Sequence, residues 1–432
     1  MNNPTLKQVN NLLPDNALSY RKVLVFKSRH WLLCLLLSGI LIPDVSVAQI
    51  DPVERQLIQL GYNQPIEGRA PISAYAFYYY NQPNFLSTNL TLRLAVAPVY
   101  LDSELGISHA LGENTDVGFG IAGGGFADSY YEVDKGKYFP DQSFTGNSAN
   151  GSASIYHLFN PTQRIPLTGV LRGEVHYAPY VRDDETAPNF VLPKDMTSFD
   201  VRTGFRFGGK EPLISPDLAM EISGWYQGEF RLNSGPYGFN GDRRVEASSH
   251  LFWGRALLAY TLPEWKHNFL LSLTGGSSVN ADRFSAYRLG GLLPLASEFP
   301  LTLPGYFYQE LSSDRFGLLN GTYILPLDKR KRWSLTAVAS TAYVHYLPGL
   351  EQPGHWNTGV GGGIGYRSTS DTWQILLDYS YGFNAIRSSG RGGQSIGLLV
   401  QFNLERTKAQ YYDPGANNFM IRGLDRFLHS FD

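Results

Sequence analysis

Beyond residue 48 the chain has no apolar run approaching the roughly twenty residues a membrane-spanning helix needs, yet segment after segment alternates apolar and polar residues with a period of two. The last such segment is the cleanest. Ile396, Leu398, Val400, Phe402 and Leu404 fall on one face, and Ser395, Gly397, Gln401 and Asn403 on the other, with Leu399 out of phase. Successive side chains of a strand point to opposite faces, so each segment makes one apolar and one polar surface. Repeated along a whole chain, this is the pattern of a transmembrane barrel, apolar towards lipid and polar towards a wet lumen. The fold class expected is all-β: a transmembrane antiparallel β-barrel of 14–16 strands with an extracellular loop that folds inward.

The alternation predicts about fourteen strands, at 72–80, 91–110, 117–131, 152–159, 167–180, 199–207, 218–232, 245–260, 269–279, 316–325, 333–346, 356–366, 373–384 and 394–404. The segment 91–110 is long enough to be split. Asp200, Arg202 and Arg206 share the face opposite Phe199, Val201 and Phe205, which places charge in the lumen and not in lipid. Connections alternate in length: 112–115, 160–164, 261–266, 328–332 and 369–371 are short, whereas 135–147, 182–194 and 233–244 are long and rich in Gly, Asp, Asn and Pro. Short turns belong to the periplasmic end and long loops to the exterior, with both termini periplasmic. The 45 glycines and 14% aromatic residues, against 17% charged, suit such a chain better than a soluble α/β enzyme.

Arg21, Lys22, Lys27 and Arg29 precede an apolar stretch at 31–42, and Ser46-Val47-Ala48 supplies small residues for cleavage. Residues 1–48 therefore read as a secretory signal peptide. Cys34 leaves with it, so the mature chain has neither disulfides nor thiolate sites. Its five basic and two acidic residues leave too, which takes the net charge from -2 to -5 and argues against nucleic acid as a partner. Residues 49–70 read as a short periplasmic segment, with Asp51-Pro52 opening a helix that carries Val53, Leu57, Ile58 and Leu60. Residues 71–404 form the barrel. In 405–432, Met420, Ile421, Leu424, Phe427, Leu428 and Phe431 recur at helical spacing, as a periplasmic tail or a plug.

The stretch 283–327 is too long and too apolar for a solvated loop. It contains Leu289-Gly290-Gly291, then Leu303-Pro304-Gly305-Tyr306, and returns to Pro326-Leu327. Downstream, Gly359, Gly361, Gly363 and Gly365 alternate with Val360, Ile364 and Tyr366, leaving an inner wall bare of side chains against which something bulky can lie. These features resemble the bacterial surface antigen superfamily, which holds outer-membrane assembly factors, two-partner-secretion transporters and barrels fused to patatin-like lipases. The resemblance covers roughly residues 267–404.

It implies a sixteen-stranded barrel in which a long loop dips into the lumen, followed by five strands; five expected strands follow here. Pro304 stands where the family's tip arginine would be, while Gly305 and Tyr306 remain. About twenty residues separate Ala48 from the first expected strand, too few for the family's periplasmic polypeptide-transport-associated domains.

No enzyme, metal or cofactor site is expected. The histidines are scattered without a paired ligand spacing. Ser248 shares a strand face with His250 but has no third partner in sequence, and the runs 123–125 and 361–363 lie inside strands, not at helix starts where phosphate binds. The resemblance implies insertion or translocation of protein or lipid at the outer membrane of a Gram-negative bacterium. A seam between the first strand, 72–80, and the last, with Ile396, Leu398, Val400 and Phe402 on its lipid face, would open laterally. Expected partners are outer-membrane lipid, client proteins and a periplasmic or lipoprotein partner, with the chain itself a monomer. A passive pore or solute-binding channel, or a structural surface protein, is the alternative.

Overall fold

The computed structural model describes residues 53–71, 73–209, 216–292 and 298–405. The signal peptide read at 1–48 and the tail from 406 onward lie outside the described residues. Sixteen strands form the barrel: β1 (Arg55–Pro65), β2 (Ser73–Pro83), β3 (Leu90–Ala97), β4 (Tyr100–Ile107), β5 (Thr115–Gly124), β6 (Ser148–Leu158), β7 (Leu167–Ala178) and β8 (Met196–Gly209). The second half is β9 (Leu218–Arg231), β10 (Ser248–Thr261), β11 (Asn268–Val279), β12 (Leu311–Pro326), β13 (Trp333–Tyr346), β14 (Trp356–Arg367), β15 (Trp373–Arg387) and β16 (Gly390–Asn403). Each is antiparallel to the next, and β16 pairs back onto β1, so no sheet edge is left at the closure.

Alternation decides what faces lipid. Phe119 and Ile121 on β5, Val175 on β7, Phe205 on β8 and Leu377 on β15 are all exposed on the outside. Their neighbours Asp116, Ser198, Asp378, Ser380 and Gln401 are buried inside the ring. Aromatic pairs mark both rims: Trp333 packs on Tyr366 at 4.7 Å and Tyr366 on Trp373 at 5.1 Å at one, and Tyr343 on Trp356 at 5.5 Å at the other. Connections at the first rim run from five to eight residues; at the second they reach thirty-one, at 280–310. Arg55 and Asn403 both lie at the short-turn rim.

Three sequence readings need correction. Residues 55–65 are not a periplasmic helix but β1, because Ile58, Leu60 and Tyr62 alternate outward with Gln59, Gly61 and Asn63, and two neighbouring edges satisfy its backbone. Residues 55–65 of the expected 49–70 segment are therefore part of the wall. Closure consequently runs between β1 and β16, from Leu57↔Asn403 to Pro65↔Ser395, and not between 72–80 and the last strand. The segment 91–110 is β3 and β4, broken at Pro98-Val99, since proline cannot donate to a ladder. These two changes take fourteen expected strands to sixteen.

Ladder length varies round the ring. The β2–β3 register holds six pairs, Tyr78↔Val96 to Pro83↔Thr91, whereas β12–β13 runs from Ser313↔Tyr346 to Pro326↔Ser334. At the long-loop rim the connections fold into a cap. Tyr130–Asp134, Lys137–Gly146 and Tyr180–Arg182 make a three-stranded sheet, and Gly235–Tyr237 pairs with Arg243–Val245. Phe144, Phe190 and Tyr237 are buried beneath it, with Phe284 from the long loop packed against them. Buried Glu132 receives Arg283 at 3.2 Å and Arg243 at 3.4 Å.

Candidate functional site in the barrel lumen

The long loop leaves β11, passes through a short strand, Tyr287–Leu289, that pairs with the start of β12, and turns at Gly290 and Gly291. Gly290 has φ +140, and a Cβ there would meet the Phe307 carbonyl at 2.1 Å; Gly291 has φ +86 and closes a bridge to Leu303. Both turns thus require glycine. Leu303 and Tyr306 are fully buried in a cluster with Leu289, Leu311, Val344 and Ala385.

The tip sits on the wall of β14 and β15. The Gly305 N–H donates to Ser380 Oγ at 2.8 Å, and the Tyr306 hydroxyl to Asn357 Oδ1 at 3.1 Å. Gly305, at φ +83, lies so close that a Cβ would stand 1.9 Å from the Gly382 amide nitrogen. A Cβ on Gly359 would meet the Pro304 carbonyl at 2.0 Å, and one on Gly361 would touch Leu292 at 3.4 Å. Gly363 and Gly365 are covered instead by Asp378 and Ser334 of the wall itself, so two of the four wall glycines face the loop and two do not. Leu399, the residue out of phase in β16, turns inward and packs with Leu292. Ile396, Leu398, Val400 and Phe402 line the lipid side of the closure, opposite Gln64, Tyr62, Leu60 and Ile58.

One anchor is invisible to simple alternation. Arg387 donates to Glu310 in a fork, Nη1 to Oε1 at 2.8 Å and Nη2 to Oε2 at 3.0 Å, and the two side chains are 1% and 0% exposed. The same guanidinium donates to the Gly305 carbonyl at 3.0 Å and lies 3.9 Å from the Phe307 ring. Parity from Ser380 and Gly382 would aim residue 387 at lipid. A register shift between Gly382 and Ile386 reverses it and buries Ala385 and Arg387 instead. The loop thus carries the carboxylate and the wall the arginine. Above them, Gly136 at the tip of the cap hairpin is seated on β15: a Cβ there would stand 1.7 Å from the Ile386 carbonyl and 2.8 Å from Arg387 Nη1.

A second contact holds the loop to the opposite wall. Glu298 accepts from Arg202 Nη2 at 3.0 Å and from Arg206, while Arg255 Nη1 donates to its backbone carbonyl at 2.8 Å. Burial pushes the Glu298 carboxyl up, but Arg202 and Arg206 together outweigh it and hold the group below its ordinary range. The segment 298–302 lies between two cavities of the lumen, which also share Tyr100 of the wall. Below it, towards the short turns, is a cavity of about 1080 Å³ with Tyr79, Arg93, Leu257 and Asp378 in its lining. Above it, under the cap, is one of about 800 Å³ with Asp128, Glu174, His176 and Gln309. Pro300 and Thr302 face both.

No family model matches the chain, and no curated protein matches it. Among solved structures it is similar to CdiB from Acinetobacter baumannii, at 10% identity and TM-score 0.51, over 81% of this chain and 60% of that one. It is similar to CdiB from Escherichia coli at 13% identity and TM-score 0.50, over 81% and 63%. BamA from Haemophilus ducreyi lacking POTRA domains 1-3 matches at 12% identity and TM-score 0.49, over 81% and 71%. The chain spans less than two thirds of the length of either CdiB structure. At these identities the likeness is one of fold.

Proposed function

We propose that the protein is an outer-membrane barrel of a Gram-negative bacterium that acts in insertion or translocation of protein or lipid, without an energy source of its own. The observation that carries this reading is the anchored loop. A wide diffusion pore needs an open lumen, whereas here the segment 298–302 projects between two lumen cavities and a packed aromatic cluster lies at one mouth. A lumen so occupied suits a barrel whose cargo passes beside or in place of an internal element.

The lateral route is assigned to the corner formed by β16, β1, β2 and β3. Of its ladders β2–β3 carries six pairs, fewer than any other in the barrel, while β16–β1 and β1–β2 carry nine each, and every pair opened exposes backbone groups to hydrocarbon at about several kcal/mol each. Short ladders lower that barrier. Clients, outer-membrane lipid and a periplasmic or lipoprotein partner that delivers cargo follow from this role, with the barrel acting as a monomer.

The test is a pair of cysteine cross-links, Gln59→Cys with Gln401→Cys across β1–β16, and Tyr79→Cys with Ala95→Cys across β2–β3, both at directly paired positions. Oxidation of at least one is expected to block client insertion in proteoliposomes, with reduction restoring it. Full activity with both closed overturns the lateral route.

The cavity of about 1080 Å³ at the short-turn rim favours a second reading, a solute-binding channel. A steady, solute-selective conductance across planar bilayers that survives deletion of residues 292–302 would establish it in place of the first.

A further inference from the structure

The contact between Glu298 and the wall has the composition of a binding site. β8 places Arg202 and Arg206 on one inward face, and β10 brings Arg255 beside them across β9. Arg255 already has a carboxylate, since Nε and Nη2 donate to buried Glu221 at 3.1 and 2.6 Å. Arg202 and Arg206 take theirs from the loop, with Glu221 only at 3.8 Å from Arg206. Three guanidiniums therefore share two carboxylates, and the second is one that can leave.

The neighbouring residue fills an aromatic slot. The Phe299 ring lies edge-on to Trp225 at 5.8 Å and to Trp253 at 6.0 Å, with the Arg255 guanidinium 4.5 Å from its centre. Arg202 itself is spread over both indoles, at 4.7 and 5.3 Å. Three features mark this as more than a structural rivet. The Glu298 side chain remains 46% exposed to the lower cavity. Among the described residues, the indole N–H groups of Trp225 and Trp253 and Nε of Arg202 and Arg206 are buried with no hydrogen-bond partner. Donors in that state are expensive to leave unmade, and a larger ligand could supply the acceptors.

We propose that Arg202, Arg206, Arg255, Trp225 and Trp253 form a receptor site for an extended peptide segment that carries a carboxylate next to an aromatic ring, and that Glu298-Phe299 occupies it as an internal stand-in. The pairing of a carboxylate fork with an aromatic slot one residue along favours peptide over a lipid phosphate, which would engage the guanidiniums and leave the slot empty. The inference rests on the reading that polypeptide enters the lumen, and it identifies the segment that displaces the loop. Arrival of such a segment from the lower cavity would free 298–302 and join the two cavities.

The experiment uses the full chain in detergent micelles, with N-acetyl-Glu-Phe-amide as probe, calorimetry for binding and indole fluorescence for site occupancy. The variant Glu298→Ala with Phe299→Ala is expected to bind the probe about ten- to hundredfold more tightly than the native chain, the range for a charged hydrogen bond. Adding Arg206→Gln is expected to abolish that gain, and N-acetyl-Gln-Phe-amide to bind at least about tenfold more weakly. Should the double variant not fold, Glu298→Gln, which keeps the shape, carries the same comparison. Equal binding of the glutamine probe, competition by inorganic phosphate or phosphatidylglycerol micelles as effective as by the dipeptide, or no binding to a folded variant overturns the proposal. Binding without client transport would remove the transport reading and leave the site standing; transport without binding would do the reverse.

Discussion

Two corners of this barrel are built to opposite specifications. At β14 and β15 the wall offers glycines and two short polar side chains, Ser380 and Asn357, where the loop tip lands, and a fully buried ion pair fastens Glu310 to Arg387. At β2 and β3 six pairs hold two strands together, and the neighbouring hairpin β3–β4 turns on Pro98-Val99 after only eight residues. Rigidity in the first corner comes from shape and desolvated charge, neither of which can be lost in part. Give in the second comes from a count of backbone bonds, which can be lost one at a time. On the proposed lateral route, a closed barrel would keep a fixed internal element and still have a wall that yields, because the two properties sit on different strands.

The largest expected effect lies at the loop tip. Tyr306→Ala empties a fully buried site and loses the bond to Asn357, at about 3–5 kcal/mol, whereas Pro304→Ala keeps the carbonyl that meets Gly359 and costs far less. Denaturant unfolding in micelles measures both, and equal, negligible effects would dissolve the contrast between the corners. Arg387→Ala is next, at about 3–5 kcal/mol, because it leaves the buried Glu310 carboxylate without its counter-charge and with the Phe307 N–H as its remaining donor. The double variant Arg387→Met with Glu310→Gln is expected to recover much of that loss; a double variant as unstable as the single one would mean that packing, not charge, is the fastening.

Gly305→Ala is expected to cost about 1–3 kcal/mol through its positive φ alone, and more if β15 cannot move away from the new Cβ. Hydrogen exchange sharpens the contrast without any substitution. Amides paired across β2–β3 are expected to exchange faster than those across β14–β15, and the reverse order would place the yielding corner elsewhere. The smallest effect is that of acid on Glu298. Its folded pKa lies below its ordinary value, so its contribution is complete above the ordinary glutamate range and fades as pH falls through the folded pKa. Indole fluorescence from Trp225 and Trp253 is expected to hold steady through neutral pH and change only in that acid window. A change near neutrality would separate the latch from this carboxyl.

Much of the wall was legible because lipid and water impose a period of two on every strand. The glycine wall was legible in part, since Gly359 and Gly361 meet the loop while Gly363 and Gly365 lie against Asp378 and Ser334. What escaped did so for local reasons. In β1, Leu57, Ile58 and Leu60 fit a helical spacing as well as a strand, and only the two open edges beside them decide the matter. The turn at Pro98-Val99 is apolar, so it carries none of the polar residues that punctuate other turns. Arg387 was hidden by a bulge, which leaves composition untouched and changes only which way a side chain points. Glu310 could not be assigned a role without its partner. The cap depends on aromatic residues drawn from four separate loops, and their convergence has no trace in spacing.

The seat of Gly136 on β15 has a mechanical consequence. The hairpin that ends in this turn belongs to the cap at the long-loop rim, yet its tip bears on the peptide unit that carries Arg387, and Arg387 grips the loop tip through Glu310 and Gly305. Surface, wall and loop are thus three links of one lever with rigid joints. The cap at the long-loop rim is connected to the middle of the lumen within two contacts, neither of them a ladder bond between barrel strands.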